Sequence, residues 1–127
     1  WCNPDAGNGV SAAGVPLAAD PLRTSRTIGP AFAVDWMQHI ASRVGTAAQG
    51  GVRYYSLDNE PALWNSTHRD VHPNPTTYDE LWQKTVSIAA AAKARDPNVK
   101  LFGPVSWGWC EYFFSAAARS RPCACGS

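Results

Sequence analysis

Two strand-length apolar runs, Val52 to Leu57 and Val99 to Val105, bracket a polar loop and one long helical stretch. That order limits the fold more than any other feature of the chain. A return through a loop and a helix brings the second strand back beside the first in the same direction, so the strands are expected to be parallel. The helix has clear ends. Thr77-Tyr-Asp-Glu80 reads as a capping box, in which hydroxyl and carboxylate satisfy each other's backbone donors. The helix then runs to about Arg95, with Leu81, Trp82, Val86, Ile88 and Ala89 as its buried stripe and Ala90 to Ala92 adding propensity. Asp96-Pro97-Asn98 stops it.

Upstream, Phe32, Val34, Trp36, Met37, Ile40 and Val44 recur at mostly helical spacing over Ala31 to Val44, and Gly45 ends that helix. Trp36 and Trp82 lie on apolar helical faces and read as core. Gly50-Gly51 is a turn, Trp1 to Pro30 an extended loop, and a further helix is expected near Glu111. The fold class is therefore α/β, with about two parallel strands and two or three helices. In an α/β barrel or a doubly wound sheet, functional residues gather where strands end and βα loops begin.

The stretch Tyr-Ser-Leu-Asp-Asn-Glu-Pro, 55–61, ends the first strand at that position, and Ser106 and Trp107 end the second. A structural reading has Glu60 capping a turn or pairing with Arg53 or Arg69, and Asp58 binding backbone amides or an arginine. A chemical reading looks to carbohydrates, which offer apolar C–H faces and polar rims. Trp64, Trp107 and Trp109 serve either as core or as flat platforms for sugar rings, and Asn59 could hydrogen-bond a sugar hydroxyl. A carboxylic acid among aromatic rings has its charged form disfavoured and can protonate a glycosidic oxygen. His68 and His72 lie in the long polar loop Pro61 to Thr76 and read as loop-bracing or solvated. Glu111 follows the second strand by several residues, a poor position for a substitute nucleophile.

Composition excludes other classes. Lys plus Arg number 11 and Asp plus Glu 10, with no basic stripe, which argues against a nucleic-acid binder. No apolar run approaches the roughly 20 residues of a membrane span. The four cysteines, Cys2, Cys110, Cys123 and Cys125, permit disulfides and suggest an oxidising compartment. Cys123-Ala-Cys125 lacks zinc spacing, so no metal site is expected. Asp5 and Asn8 are placed as in a calcium loop, but the remaining ligands are missing, and no cofactor is expected.

The run YYSLDNEPALWNSTHRDVHPNPTTYDEL, followed by a helix and KLFGPVSWGW, resembles glycoside hydrolase family 44, the endoglucanase and xyloglucanase group. WCNPDAGNGV resembles a loop segment upstream of that family's catalytic acid. The resemblance implies a retaining endo-β-1,4-glucanase acting on a β-glucan polysaccharide such as cellulose or xyloglucan. It implies a (β/α)8 TIM barrel, accompanied in the family by a β-sandwich, and an extracellular location. Glu60 matches the general acid/base at the end of the fourth strand, and Asn59 the asparagine near the sugar 2-hydroxyl. The nucleophile belongs to a later strand in that family, and no segment here matches it. Retaining hydrolysis needs two carboxyl groups about 5–5.5 Å apart, and such barrels take about 250 residues. The expectation is a partial barrel over residues 1–127 with a divergent tail at 118–127, truncated or frame-shifted, without a signal peptide. It is either an incomplete hydrolase or a carbohydrate-binding or inactive remnant, with the oligomeric state left open.

Overall fold

In the computed structural model, which describes residues 9–18 and 20–118, Tyr54–Ser56 (β1) and Lys100–Phe102 (β2) pair in parallel. Tyr54 faces Lys100, Tyr55 faces Leu101 and Ser56 faces Phe102. The parallel crossover expected from the sequence is present. The regular ladder is shorter than the two apolar runs, because Gly103 and Pro104 interrupt it and proline has no N–H to give. Gly103 sits at φ 88°, in the left-handed region, and a Cβ there would lie 3.3 Å from the Ser56 hydroxyl oxygen and 3.4 Å from the Asp58 carbonyl oxygen. The strands meet again at an isolated parallel bridge between Asn59 and Val105.

Helix α1, Pro30–Val44, begins on a proline whose fixed φ suits a first turn and ends at Gly45, at φ 85°. Helix α2 is a single turn, Trp64–Thr67, entered through a 3-10 turn at Pro61–Leu63. Helix α3, Tyr78–Arg95, has the ends its sequence announces, at Thr77 and Asp96. Only half of the anticipated capping box forms. The Thr77 hydroxyl accepts the Glu80 N–H at 3.1 Å, while the Glu80 carboxylate is drawn to His72 at 2.7 Å and Lys84 at 2.9 Å. In place of the helix expected near Glu111 there is a 3-10 turn, Trp109–Tyr112. The long N-terminal loop contains a 3-10 turn at Pro21–Arg23 and an antiparallel bridge between Val10 and Pro16. Asp5 and Asn8, Cys2, Cys123 and Cys125, and the tail beyond Ala118 lie outside the described residues.

Helices α1 and α3 pack on each other, and the core forms where they meet the start of β2. Met37, Ala47, Ala92 and Val99 are buried, with Tyr55 and Leu101 against them. Burial of a valine such as Val99 contributes roughly 1.5–3 kcal/mol. Asp96 closes the lower edge. One carboxylate oxygen accepts the Ala47 N–H at 2.8 Å and the other the Asn98 N–H at 3.0 Å. The bond from Ala47 is the main reason its carboxyl is held below the usual aspartate range.

The core reading of Trp36 and Trp82 is corrected by the structure. Trp36 is 59% exposed and Trp82 68%, and Val86, counted in the same stripe, is also exposed. Helical spacing identifies an apolar face, but a neighbouring element must be present to cover it. Trp36 stacks on His39 of its own helix at 5.9 Å between ring centroids, but among the described residues both indoles stay largely exposed.

Candidate active site

Glu60 stands at the point where the two strand tips are last joined. Its N–H donates to the Val105 carbonyl at 2.6 Å, and the Val105 N–H donates to the Asp58 carbonyl at 3.0 Å. Its carbonyl accepts the Leu63 N–H at 2.9 Å, starting the 3-10 turn. Glu60 is the one described non-glycine residue with positive φ, at φ 51° and ψ 53°. A residue with a Cβ is disfavoured there by roughly 1–2 kcal/mol. The side chain is half-buried, and among the described residues no hydrogen bond or ion pair engages its carboxylate.

The residues around Glu60 are fixed through their backbone. Asp58 Oδ1 accepts the Asn59 N–H at 2.7 Å, the amide-binding role expected of it. The Trp64 indole N–H donates to the Asn59 carbonyl at 3.3 Å. The buried Thr76 hydroxyl donates to the Pro61 carbonyl at 2.8 Å, and the Ala117 N–H donates to the Thr76 carbonyl at 3.1 Å.

Glu111 is the residue that sequence reading missed. Its Oε1 accepts the Ala62 N–H at 2.9 Å, and its Oε2 accepts the Trp107 N–H. Both oxygens are thus occupied by backbone donors, a bracing role rather than a nucleophile's. The only sequence signal is an acidic residue shortly after a strand tip; nothing local points to its two donors, one of them 49 residues away.

The aromatic residues divide between two places. Trp107 and Trp109 stand in solvent, 58% and 70% exposed, on the β2 side. Trp109 packs against Tyr112 and Phe113, with ring centroids 5.7 and 5.4 Å away, on a turn anchored by Cys110, which is buried and disulfide-bonded. Trp64 lines a groove of about 660 Å³ together with Ile28, Asp58, His72, Leu81 and Lys84. Glu60, Asn59, Trp107 and Trp109 do not line that groove. Trp64, Trp107 and Trp109 share one expectation from the sequence, core or sugar platform, whereas the structure places Trp64 in the groove and leaves the other two out of it.

His72 braces the groove, as expected for a loop histidine. It bonds Glu80 and meets the Trp64 ring edge-on at 5.4 Å, while the Lys84 ammonium lies 5.5 Å from the same ring. Burial alone would raise the Glu80 carboxyl, but the hydrogen bonds from His72 and Lys84 outweigh it and hold the group below its ordinary range. Among the described residues no cluster of three or more metal-capable side chains forms, and no helix is long and apolar enough to cross a membrane.

A model of glycoside hydrolase family 44 matches residues 1–124. The crystal structure of CelM2, a bifunctional glucanase-xylanase from a metagenome library, is 45% identical with a TM-score of 0.78, over 90% of this chain and 22% of that one. A Paenibacillus polymyxa xyloglucanase of family 44, solved with xyloglucan, is 40% identical with a TM-score of 0.59, over 62% of this chain and 16% of that one. Endoglucanase A of Paenibacillus lautus is 35% identical over 95 residues, 74% of this chain and 14% of that protein. The chain therefore spans a minor part of each relative's length.

Proposed function

The chain belongs to glycoside hydrolase family 44, and from that premise we propose that it carries the acid half of a retaining β-1,4-glucan hydrolase on a partial (β/α)8 barrel. Glu60 is the proton donor. The observation that carries this assignment is its backbone, a glutamate held at φ 51° where glycine or asparagine would sit without strain. Strained residues of this kind persist where the surroundings over-determine them, and they cluster at active sites. The βα position and the relatives named as glucanase, xyloglucanase and endoglucanase support the same reading.

In this mechanism Glu60 protonates the departing glycosidic oxygen and then, ionised, takes a proton from the incoming water. Asn59 hydrogen-bonds a hydroxyl of the sugar at the cleavage point. Trp107 and Trp109 stack on sugar rings, as does Trp64. A second carboxylate, about 5–5.5 Å from the first, forms and releases the covalent glycosyl intermediate, and no residue of this chain is assigned that role. The substrate is a β-glucan such as cellulose or xyloglucan. The disulfide at Cys110 supports an extracellular setting.

The exposure of Trp107 and Trp109 also favours a second reading, a remnant that binds carbohydrate without cutting it. Reducing-end release from carboxymethylcellulose and xyloglucan, with formate supplied as an external nucleophile in place of the second carboxylate and compared between the parent chain and Glu60→Gln, separates the two. A parent rate that falls about 10²–10⁴-fold in the variant supports the acid. Binding with no release, unchanged in the variant, supports the remnant. Release unaffected by the substitution removes Glu60 from the chemistry.

A further inference from the structure

We infer that Glu111 is a positioning residue whose carboxylate sets how the loop carrying Glu60 faces the loop carrying Trp107 and Trp109. Its two oxygens do not cap one turn. One takes the N–H of Ala62, in the loop after β1, and the other the N–H of Trp107, in the loop after β2. Ala62 follows Glu60 by two residues, with Pro61 between them as a stiff link of fixed φ. Any movement of Ala62 is passed to Glu60.

Glu111 is itself held from behind. Its carbonyl accepts the Tyr78 hydroxyl at 2.6 Å, at the start of α3. Its N–H donates to the Gly108 carbonyl at 3.1 Å, and its neighbour Cys110 is buried and disulfide-bonded. One side chain therefore ties together the two strand-tip loops and, through its own backbone, the start of the connecting helix. A carboxylate suits this task because both bonds are charge-assisted and each oxygen can serve a different loop. An amide in its place offers one acceptor and turns an NH2 toward the other donor. Glutamine should therefore release one loop while preserving the shape of the residue. The inference rests on Glu60 being the acid; the tie between the loops does not.

The test uses the isotopically labelled 127-residue chain with no saccharide present. It follows amide exchange at Ala62 and Trp107, and the side-chain carboxyl resonance of Glu60, in the parent, Glu111→Gln and Tyr78→Phe. Tyr78→Phe loosens Glu111 without changing charge. In Glu111→Gln, exchange at Ala62, at Trp107 or at both rises about tenfold or more while Ala90 and Ala92 in α3 keep their rates. The Glu60 carboxyl resonance shifts in both variants. Unchanged exchange at both amides, an equal rise at all four, or a Glu60 resonance identical in all three proteins overturns the inference. If Glu111→Gln does not fold, Tyr78→Phe decides: unchanged exchange at Ala62 and Trp107 together with an unshifted Glu60 resonance in it overturns the tie. Because nothing is hydrolysed, failure here leaves the acid assignment standing, and failure of the Glu60→Gln assay leaves the tie standing.

Discussion

The N–H of Glu60 donates to the carbonyl of Val105 at 2.6 Å, beyond the point where the regular β1–β2 ladder has ended. The bond fastens a left-handed glutamate to the tip of the next strand. The sheet extends its hydrogen bonding to the residue whose backbone is least at ease, and the half-buried side chain is carried at the end of that last link.

The strain at Glu60 can be measured. Glu60→Gly should raise stability by roughly 0.5–1 kcal/mol, because glycine adopts φ 51° without the Cβ penalty, offset in part by the greater freedom of the unfolded chain. Urea unfolding reads it, with Glu60→Ala as the control that keeps the Cβ. A midpoint for the glycine variant at or below that of the alanine variant would contradict the strain.

Gly103 should resist replacement. Alanine there keeps φ 88° with a Cβ 3.3–3.4 Å from Ser56 Oγ, the Asp58 carbonyl oxygen and the Val105 nitrogen. A loss of about 1–3 kcal/mol is expected in denaturant unfolding, with faster exchange of the Glu60 and Val105 amides. An alanine variant as stable as the parent would show that the loop can readjust.

Thr76 is 3% exposed and donates to the Pro61 carbonyl. Thr76→Val keeps the shape and removes the donor, leaving the Pro61 carbonyl with the Trp64 N–H alone, which should cost about 0.5–1.5 kcal/mol. Thr76→Ser should retain more of the stability than valine does. Equal losses in the two variants would point to packing rather than the hydrogen bond.

Asp96 and Glu80 give the chain an acid-sensitive stability. Both carboxyls are held below their ordinary values, Asp96 chiefly by the N–H of Ala47, Glu80 by His72 and Lys84 against the opposing effect of burial. A depressed folded-state value means that the stabilisation is fully present above the unfolded carboxylate range, about pH 4, and is lost as pH falls through the folded values. The thermal midpoint should therefore drop as pH falls below about 4. Asp96→Asn, which cannot titrate, should flatten that drop. An unchanged slope would relieve Asp96 of the role.

The legible parts of this fold are those whose causes are local. Gly45 and Asp96 end their helices where the sequence places them, and the crossover between Val52 and Val105 dictates parallel strands. Glu60 could be placed at a strand tip for the same reason. What stayed hidden depends on residues distant in sequence. The left-handed turn at Glu60 is fixed by Val105, and the brace at Glu111 by donors on two other loops. Glu80 completes half of its capping box because His72 and Lys84 compete for its carboxylate. Trp36 and Trp82 follow a helical period, but the period carries no record of whether anything lies across from them.

Their exposure has an optical consequence. Trp36, Trp82, Trp107 and Trp109 all meet water, so their fluorescence should sit toward the red even in the folded chain, and unfolding should move it little. Anything that covers these indoles would drive the emission to the blue. The protein thus carries four built-in reporters of contact that respond to occupancy more than to folding.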